Sequence, residues 1–220
     1  RPNATWDEIH KISLTKRNAN TQLYTPYYVL LPDSGYELHH DAWLTGEDSR
    51  EFSFEYAVDV MRYKADSVLE GFADETIPTE FPPERTYVEG EYAQFVRENY
   101  TKLPDHTRQE LLKIIEAEGL TTVEDAIAYV KSSAAYSLDT PRMNQSEEND
   151  FVLWFLKESD TGYCVHFASA ATALLRAMDI PARYVTGYVA HCTGNTWTTV
   201  TSDTAHAWVE YFDDGVWRPL

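Results

Sequence analysis

Cationic side chains are scarce in this chain. Its 220 residues carry 18 Lys and Arg against 36 Asp and Glu, a formal net charge of −18. That balance excludes the basic footprint that nucleic-acid binding demands. It also disfavours direct docking on an anionic membrane. The charge fits a soluble secreted domain or attraction to basic partners, and solubility is the plainer reading. Long apolar runs are missing too. No stretch reaches the roughly 18 apolar residues that cross a bilayer, so membrane attachment would have to come through segments absent from this chain. The chain starts at Arg1 and shows no signal-peptide pattern, which reads as the excised soluble portion of something longer. Cysteine is nearly absent: Cys164 and Cys192 alone provide no disulfide framework. A free structural thiol is the default reading of Cys192, and a redox lock on Cys164 is the rival one. There is no internal repeat and no low-complexity tract.

What is present suffices for a substantial core, since 43% of residues are hydrophobic and 14% aromatic. The length suits two domains. Residues 1–88 read as a β-rich N-terminal domain of unknown role. Leu23–Leu31 is aromatic and apolar and closes on a Pro-Asp-Ser-Gly turn, while Glu51–Val60 alternates with period two. Asp74–Arg85, with three prolines and four acids, suggests a linker or domain edge.

From Glu91 the period becomes helical, and residues 89–220 read as a second domain with leading helices. Tyr92, Phe95, Val96 and Tyr100 share one face, and Pro104 ends that helix. Asp105 or Thr107 caps a second helix, ended by Gly119. Thr121-Thr122-Val123-Glu124 resembles a capping box for a third, running to Ala135. Residues 139–150 read as a loop, and Phe151–Leu156 as a short helix. Apolar residues from Phe167 to Met178 recur at helical spacing until Pro181 forbids continuation. Ala182–Ala190, Thr196–Ser202 and Ala205–Phe212 read as three strands.

Two motifs carry the chemistry. Thr161-Gly162-Tyr163-Cys164-Val165-His166-Phe167-Ala168 places a cysteine directly before an amphipathic helix. Ala205-His206-Ala207-Trp208-Val209-Glu210 places a histidine at the head of a β-prone run. A thiol becomes a nucleophile when a base lies near it and its surroundings favour the thiolate. A helix N-terminus provides part of the second condition through its unpaired N–H groups and dipole. His206 provides the first. The chain is therefore expected to hold a Cys164–His206 nucleophilic pair.

Gly162-Tyr163-Cys164-x-x-Phe167-Ala168, the run Leu174–Tyr188, Ala205–Glu210 and Gly215-Val216-Trp217-Arg218-Pro219 together resemble the transglutaminase-like superfamily. They most resemble the core of bacterial, membrane-anchored members with an extracytoplasmic catalytic domain. The resemblance spans about residues 125–220. It implies an α+β, papain-like transglutaminase core in which the nucleophile helix packs on an antiparallel sheet that carries the base. It implies acyl transfer from a protein or peptide amide through a Cys164 thioester, with an amine acceptor (cross-linking) or water (deamidation). The alternatives are a cysteine peptidase or amidase, and a non-catalytic interaction module of a cell-surface protein. It also implies an acidic third member, orienting His206, just beyond Leu220. Asp213 and Asp214 are the nearest carboxylates present and read as turn residues.

Oxyanion donors stay open among the Cys164 backbone N–H, Tyr136 and Trp154. Arg183 reads as a structural ion-pair or backbone-binding group and Gly187 as relief of crowding or support for a bulge. His166 sits on a different helical face from the nucleophile. His39-His40-Asp41 lacks accompanying ligand spacing and reads as a solvated loop. No metal and no cofactor is expected.

Overall fold

The computed structural model describes residues 9–15, 22–24, 29–30, 37–39, 42–44, 51–57, 83–143, 149–191, 193–194, 196–213 and 215–220. The chain divides into two compact units, Arg1–Pro78 and Thr79–Leu220.

In the first unit all described residues but Tyr24 lie in strands: β1 (Ile9–Thr15), β2 (Gln22–Leu23), β3 (Val29–Leu30), β4 (Glu37–His39), β5 (Ala42–Leu44) and β6 (Glu51–Ala57). They form two antiparallel sheets, ordered β1-β6-β3 and β2-β5-β4. The period-two segment is thus a strand through Ala57, and its last three residues lie outside the described ones. The Leu23–Leu31 segment contributes its two ends to different sheets. His39 closes β4, while His40 and Asp41 lie outside the described residues.

The second unit opens with α1 (Pro83–Asn99), which begins well ahead of the change of period at Glu91. Proline suits a first helical turn, where its missing N–H has no partner to lose. Val96 is fully buried, but Tyr92 and Phe95 remain 39% and 49% exposed, so the expected apolar face is only partly inward. α2 (Asp105–Glu118) starts after Pro104 with no side-chain cap. Neither expected residue caps it: Thr107 is buried and donates its hydroxyl to Asp150 Oδ2 at 2.5 Å. Gly119 ends the helix in the left-handed conformation, φ 65°, with its N–H on the Ile115 carbonyl.

α3 (Val123–Ser133) has its capping box one residue later than expected, between Thr122 and Asp125. α4 (Phe151–Glu158) is capped by Asp150, whose Oδ1 accepts the Val152 and Leu153 N–H groups at 2.8 and 3.1 Å. α5 (Cys164–Ala177) lies at the centre of the unit. Ala170, Ala171, Leu174 and Leu175 are buried on it, and the small alanines let the neighbours close in. Around them pack Leu111 of α2, Val130 of α3, Leu153 and Phe155 of α4, and Val209.

Two short strands, β7 (Ala135–Tyr136) and β8 (Thr161–Gly162), pair in parallel just before α5. A three-stranded antiparallel sheet follows, made of β9 (Ala182–Tyr188), β10 (Ala205–Asp213) and β11 (Val216–Pro219), with β10 central. α5 packs on β10 and β9. The strand expected over Thr196–Ser202 is not formed. β9 pairs directly with β10, which leaves this threonine-rich stretch exposed and without a ladder, apart from a 3₁₀ turn at Ser202–Thr204. β-propensity without a partner strand does not make a strand.

Candidate active site

The start of α5 is shaped by Gly162. A Cβ there would lie 2.5 Å from Phe155 Cε2 and 3.1 Å from His166 Cβ, so only glycine lets the chain pass. Tyr163 is the extended residue ahead of the helix, φ −123° and ψ −177°, and Cys164 is its first helical residue. Cys164 is a free, half-buried thiol. Its place in the first turn puts it where backbone N–H groups lack helical partners and negative charge is favoured.

His206 lies near the beginning of β10, exposed, in register with Gly187 of β9. Its ring stacks on Trp208, with centroids 6.5 Å apart and planes 21° from parallel. A Cβ on Gly187 would come within 2.8 Å of Trp208 Cη2, so this glycine relieves crowding by the indole. The Trp208 Nε1–H donates to Glu210 Oε1 at 3.2 Å. Glu210 is 1% exposed, and its Oε2 accepts Arg183 Nε and Nη2 at 2.7 and 2.6 Å. Arg183 in turn sits 4.2 Å from the Trp217 ring centroid. Arg183 is thus the structural ion-pair group expected of it.

Cys164 and His206 line one cavity of about 340 Å³. Its walls are mainly apolar, with Ile127 and Val130 from α3, Phe167 and Ala171 from α5, and Tyr136 at the end of β7. The helix that carries the thiol and the strand that carries the imidazole therefore present both groups to the same space. That pairing, with a helix N-terminus behind the sulfur, suits attack of a thiolate on an amide carbonyl.

Against a family model, the match covers residues 91–220 under the description transglutaminase-like superfamily. The chain belongs to the transglutaminase-like superfamily. Two curated relatives agree with the match. The uncharacterized protein YebA of Bacillus subtilis is 34% identical over 129 residues, covering 52% of this chain and 17% of that protein. The protein-glutamine gamma-glutamyltransferase of Pseudomonas aeruginosa is 38% identical over 88 residues, covering 39% of this chain and 12% of that protein. The chain therefore spans less than a fifth of either relative. Among solved structures, the periplasmic domain of TgpA from Pseudomonas aeruginosa superposes with a TM-score of 0.61 at 19% identity, over 97% of this chain and 71% of that one. The transglutaminase-like fold, mixed helix and sheet, is thereby established.

Within this transglutaminase-like unit the other expected residues separate clearly. Tyr136 faces the cavity, 62% exposed and stacked on Phe167 at 6.1 Å. Trp154 is 7% exposed in the core beside Phe151 and His166, which removes it as an oxyanion donor. His166 is buried as well, turned away from solvent into aromatic rings. Asp213 is bound to Arg218 at 2.9 Å, seven residues along β10 from His206. Asp214 and Cys192 lie outside the described residues.

Among the described residues no group of three His, Cys, Asp or Glu could hold a metal ion, and no helix is long and apolar enough to cross a membrane. Tyr184 was not foreseen. Burial raises its pKa, and the proximity of Cys164 and then Tyr163 raises it further, so its phenol belongs to the surroundings of the Cys164 thiol. A tyrosine in a β-prone run carries no signal of that role.

Proposed function

We propose that this unit transfers acyl groups from protein or peptide amides through a thioester on Cys164. The observation that carries this reading is the shared cavity of Cys164 and His206 at the N-terminus of α5. His206 takes the thiol proton, and the sulfur attacks the amide carbonyl. The tetrahedral adduct collapses as the C–N bond breaks, and the imidazolium returns its proton to the departing ammonia or amine. An amine or water then attacks the thioester, His206 takes its proton, and the thiol is restored.

A glutamine side chain is the donor best supported, because the Pseudomonas relative bears the name protein-glutamine gamma-glutamyltransferase. The exposed position of His206 also supports water as an acceptor, giving deamidation or peptide hydrolysis by the same thioester. The third member belongs to the proposal as well. The β10–β11 register pairs Glu210 with Pro219, and the Leu220 N–H bonds the Val209 carbonyl. Continued by one residue, it sets the following side chain opposite Trp208, on the strand face shared with His206, where a carboxylate would orient the imidazole. Resemblance to membrane-anchored members, and the periplasmic domain of TgpA, support an extracytoplasmic location with cell-surface proteins as substrates.

The test uses a glutamine-containing peptide with and without a labelled primary amine, read by mass. Incorporation of the amine marks a transferase, while a gain of one mass unit or a cut chain marks a hydrolase. Cys164→Ala abolishes every product, and His206→Ala slows the reaction about 10²–10⁴-fold. In iodoacetamide labelling, Cys164 reacts faster in the wild type than in His206→Ala, because the thiolate is the reactive form and the base favours it. An ordinary thiol profile in both chains, with no product, would sink the catalytic reading in favour of a binding module.

A further inference from the structure

His166 lies two residues from Cys164, and the reaction above gives it nothing to do. It occupies the third position of α5, where a Glu or Gln commonly reaches back to the N–H of the residue ahead of the helix. Here the imidazole does so: the Tyr163 N–H donates to His166 Nδ1, a long bond of 3.3 Å. The Tyr163 carbonyl already accepts the N–H groups of His166 at 2.8 Å and Phe167 at 3.3 Å, which leaves the ring to act as acceptor. Nδ1 then carries no proton, and the ring's hydrogen sits on Nε2.

The surroundings keep that ring uncharged. It is 5% exposed, edge-on to Tyr163 at 4.4 Å, with Phe151, Phe155 and Trp154 at 5.0, 5.5 and 5.9 Å. Burial is the largest influence on this ring and lowers its pKa. A Cβ on Gly162 would lie 3.1 Å from His166 Cβ, so the glycine leaves room for a side chain at this position of the turn. A carboxylate in this place would cap equally well. It would also set a full negative charge in the same first turn as Cys164, opposing the helix-end potential that a thiolate needs.

We propose that His166 is a positioning residue: an uncharged cap that ties down the first turn of the nucleophile helix and leaves its N-terminal potential to the Cys164 thiolate. This rests on Cys164 being the nucleophile. The cap makes no contact with substrate and acts through Cys164.

The test compares H166Q, H166E and H166L in the intact chain, each with and without His206→Ala. The quantity read is the pH midpoint of Cys164 alkylation. Nitrogen NMR of the wild-type ring reports the tautomer. The expected result is a proton on Nε2 and a midpoint unchanged in H166Q. H166E raises it by about one unit, the size of effect a nearby like charge produces. H166L raises it by about half a unit as the first turn frays. A proton on Nδ1 overturns the proposal, and so do equal midpoints in H166E and H166Q. Should H166E fail to fold by circular dichroism, equal midpoints in H166Q and H166L overturn it instead. The Glu-against-Gln difference persists when His206 is removed. An ordinary wild-type thiol therefore condemns the catalytic reading while this comparison still decides the cap.

Discussion

Replacing Glu210 with alanine would leave the Arg183 guanidinium, 26% exposed, without its counter-charge, and the Trp208 indole N–H without its acceptor. Arg183 keeps partial access to water, so the loss falls short of that for a fully buried pair and amounts to about 1–3 kcal/mol. Urea denaturation of Glu210→Ala should show a loss of that size, and an unchanged midpoint would mean the pair contributes nothing net. Single residues were unevenly legible in the sequence. Cys164 and His206 stood out because each sits in a local pattern that states its setting, a thiol ahead of a helix and an imidazole at a strand head. Glu210 did not, since a glutamate on a strand carries no mark of burial until Arg183 is brought across from β9. His166, on a different helical face from Cys164, carries no sign of its cap in the sequence, because the Tyr163 N–H it accepts is a backbone group of the folded turn.

At the scale of elements, α4 depends on one side chain from outside it. Asp150 caps the helix through two N–H groups and accepts the Thr107 hydroxyl of α2 on its other oxygen, so it fastens two helices together. Asp150→Ala should cost about 1–2 kcal/mol, the upper part of the range for a lost cap. Thermal melting checks this, and a loss no larger than that of an exposed substitution would show the cap to be idle. Helix periods were readable along the chain because the apolar spacing of α5 and the αL glycine after α2 are local signals. Pairing was not. Thr196–Ser202 has strand-like composition, yet the sheet closes between β9 and β10 without it, a decision made by long-range contacts that propensity does not encode.

For the molecule as a whole, acidity should act through the buried His166. Its pKa is lowered in the fold, so the unfolded chain binds a proton more readily. Stability from this group is therefore full above the ordinary histidine value of about 6.5 and falls as pH drops from there toward the lowered value. The melting temperature of the wild type should decline over that window more steeply than that of H166Q, and parallel curves would refute the linkage. The division of the chain into two units is a property of this scale too. The composition break near the proline-rich stretch hinted at it, while the start of α1 at Pro83 was hidden by the acids and prolines around it.

The parallel pairing of β7 with β8 holds Tyr136 against Gly162, and Asp150 is held by Thr107. The chain between them leaves from beside the nucleophile's turn and returns to a fixed cap. Its two ends are thus anchored independently of its length, and doubling such a connection costs only about 0.6 kcal/mol in closure entropy. Added length between these anchors would therefore cost the fold little, provided Tyr136 and Asp150 keep their partners. Chain length is thus a quantity this fold can tolerate changing, because the two anchors and not the path between them carry the load.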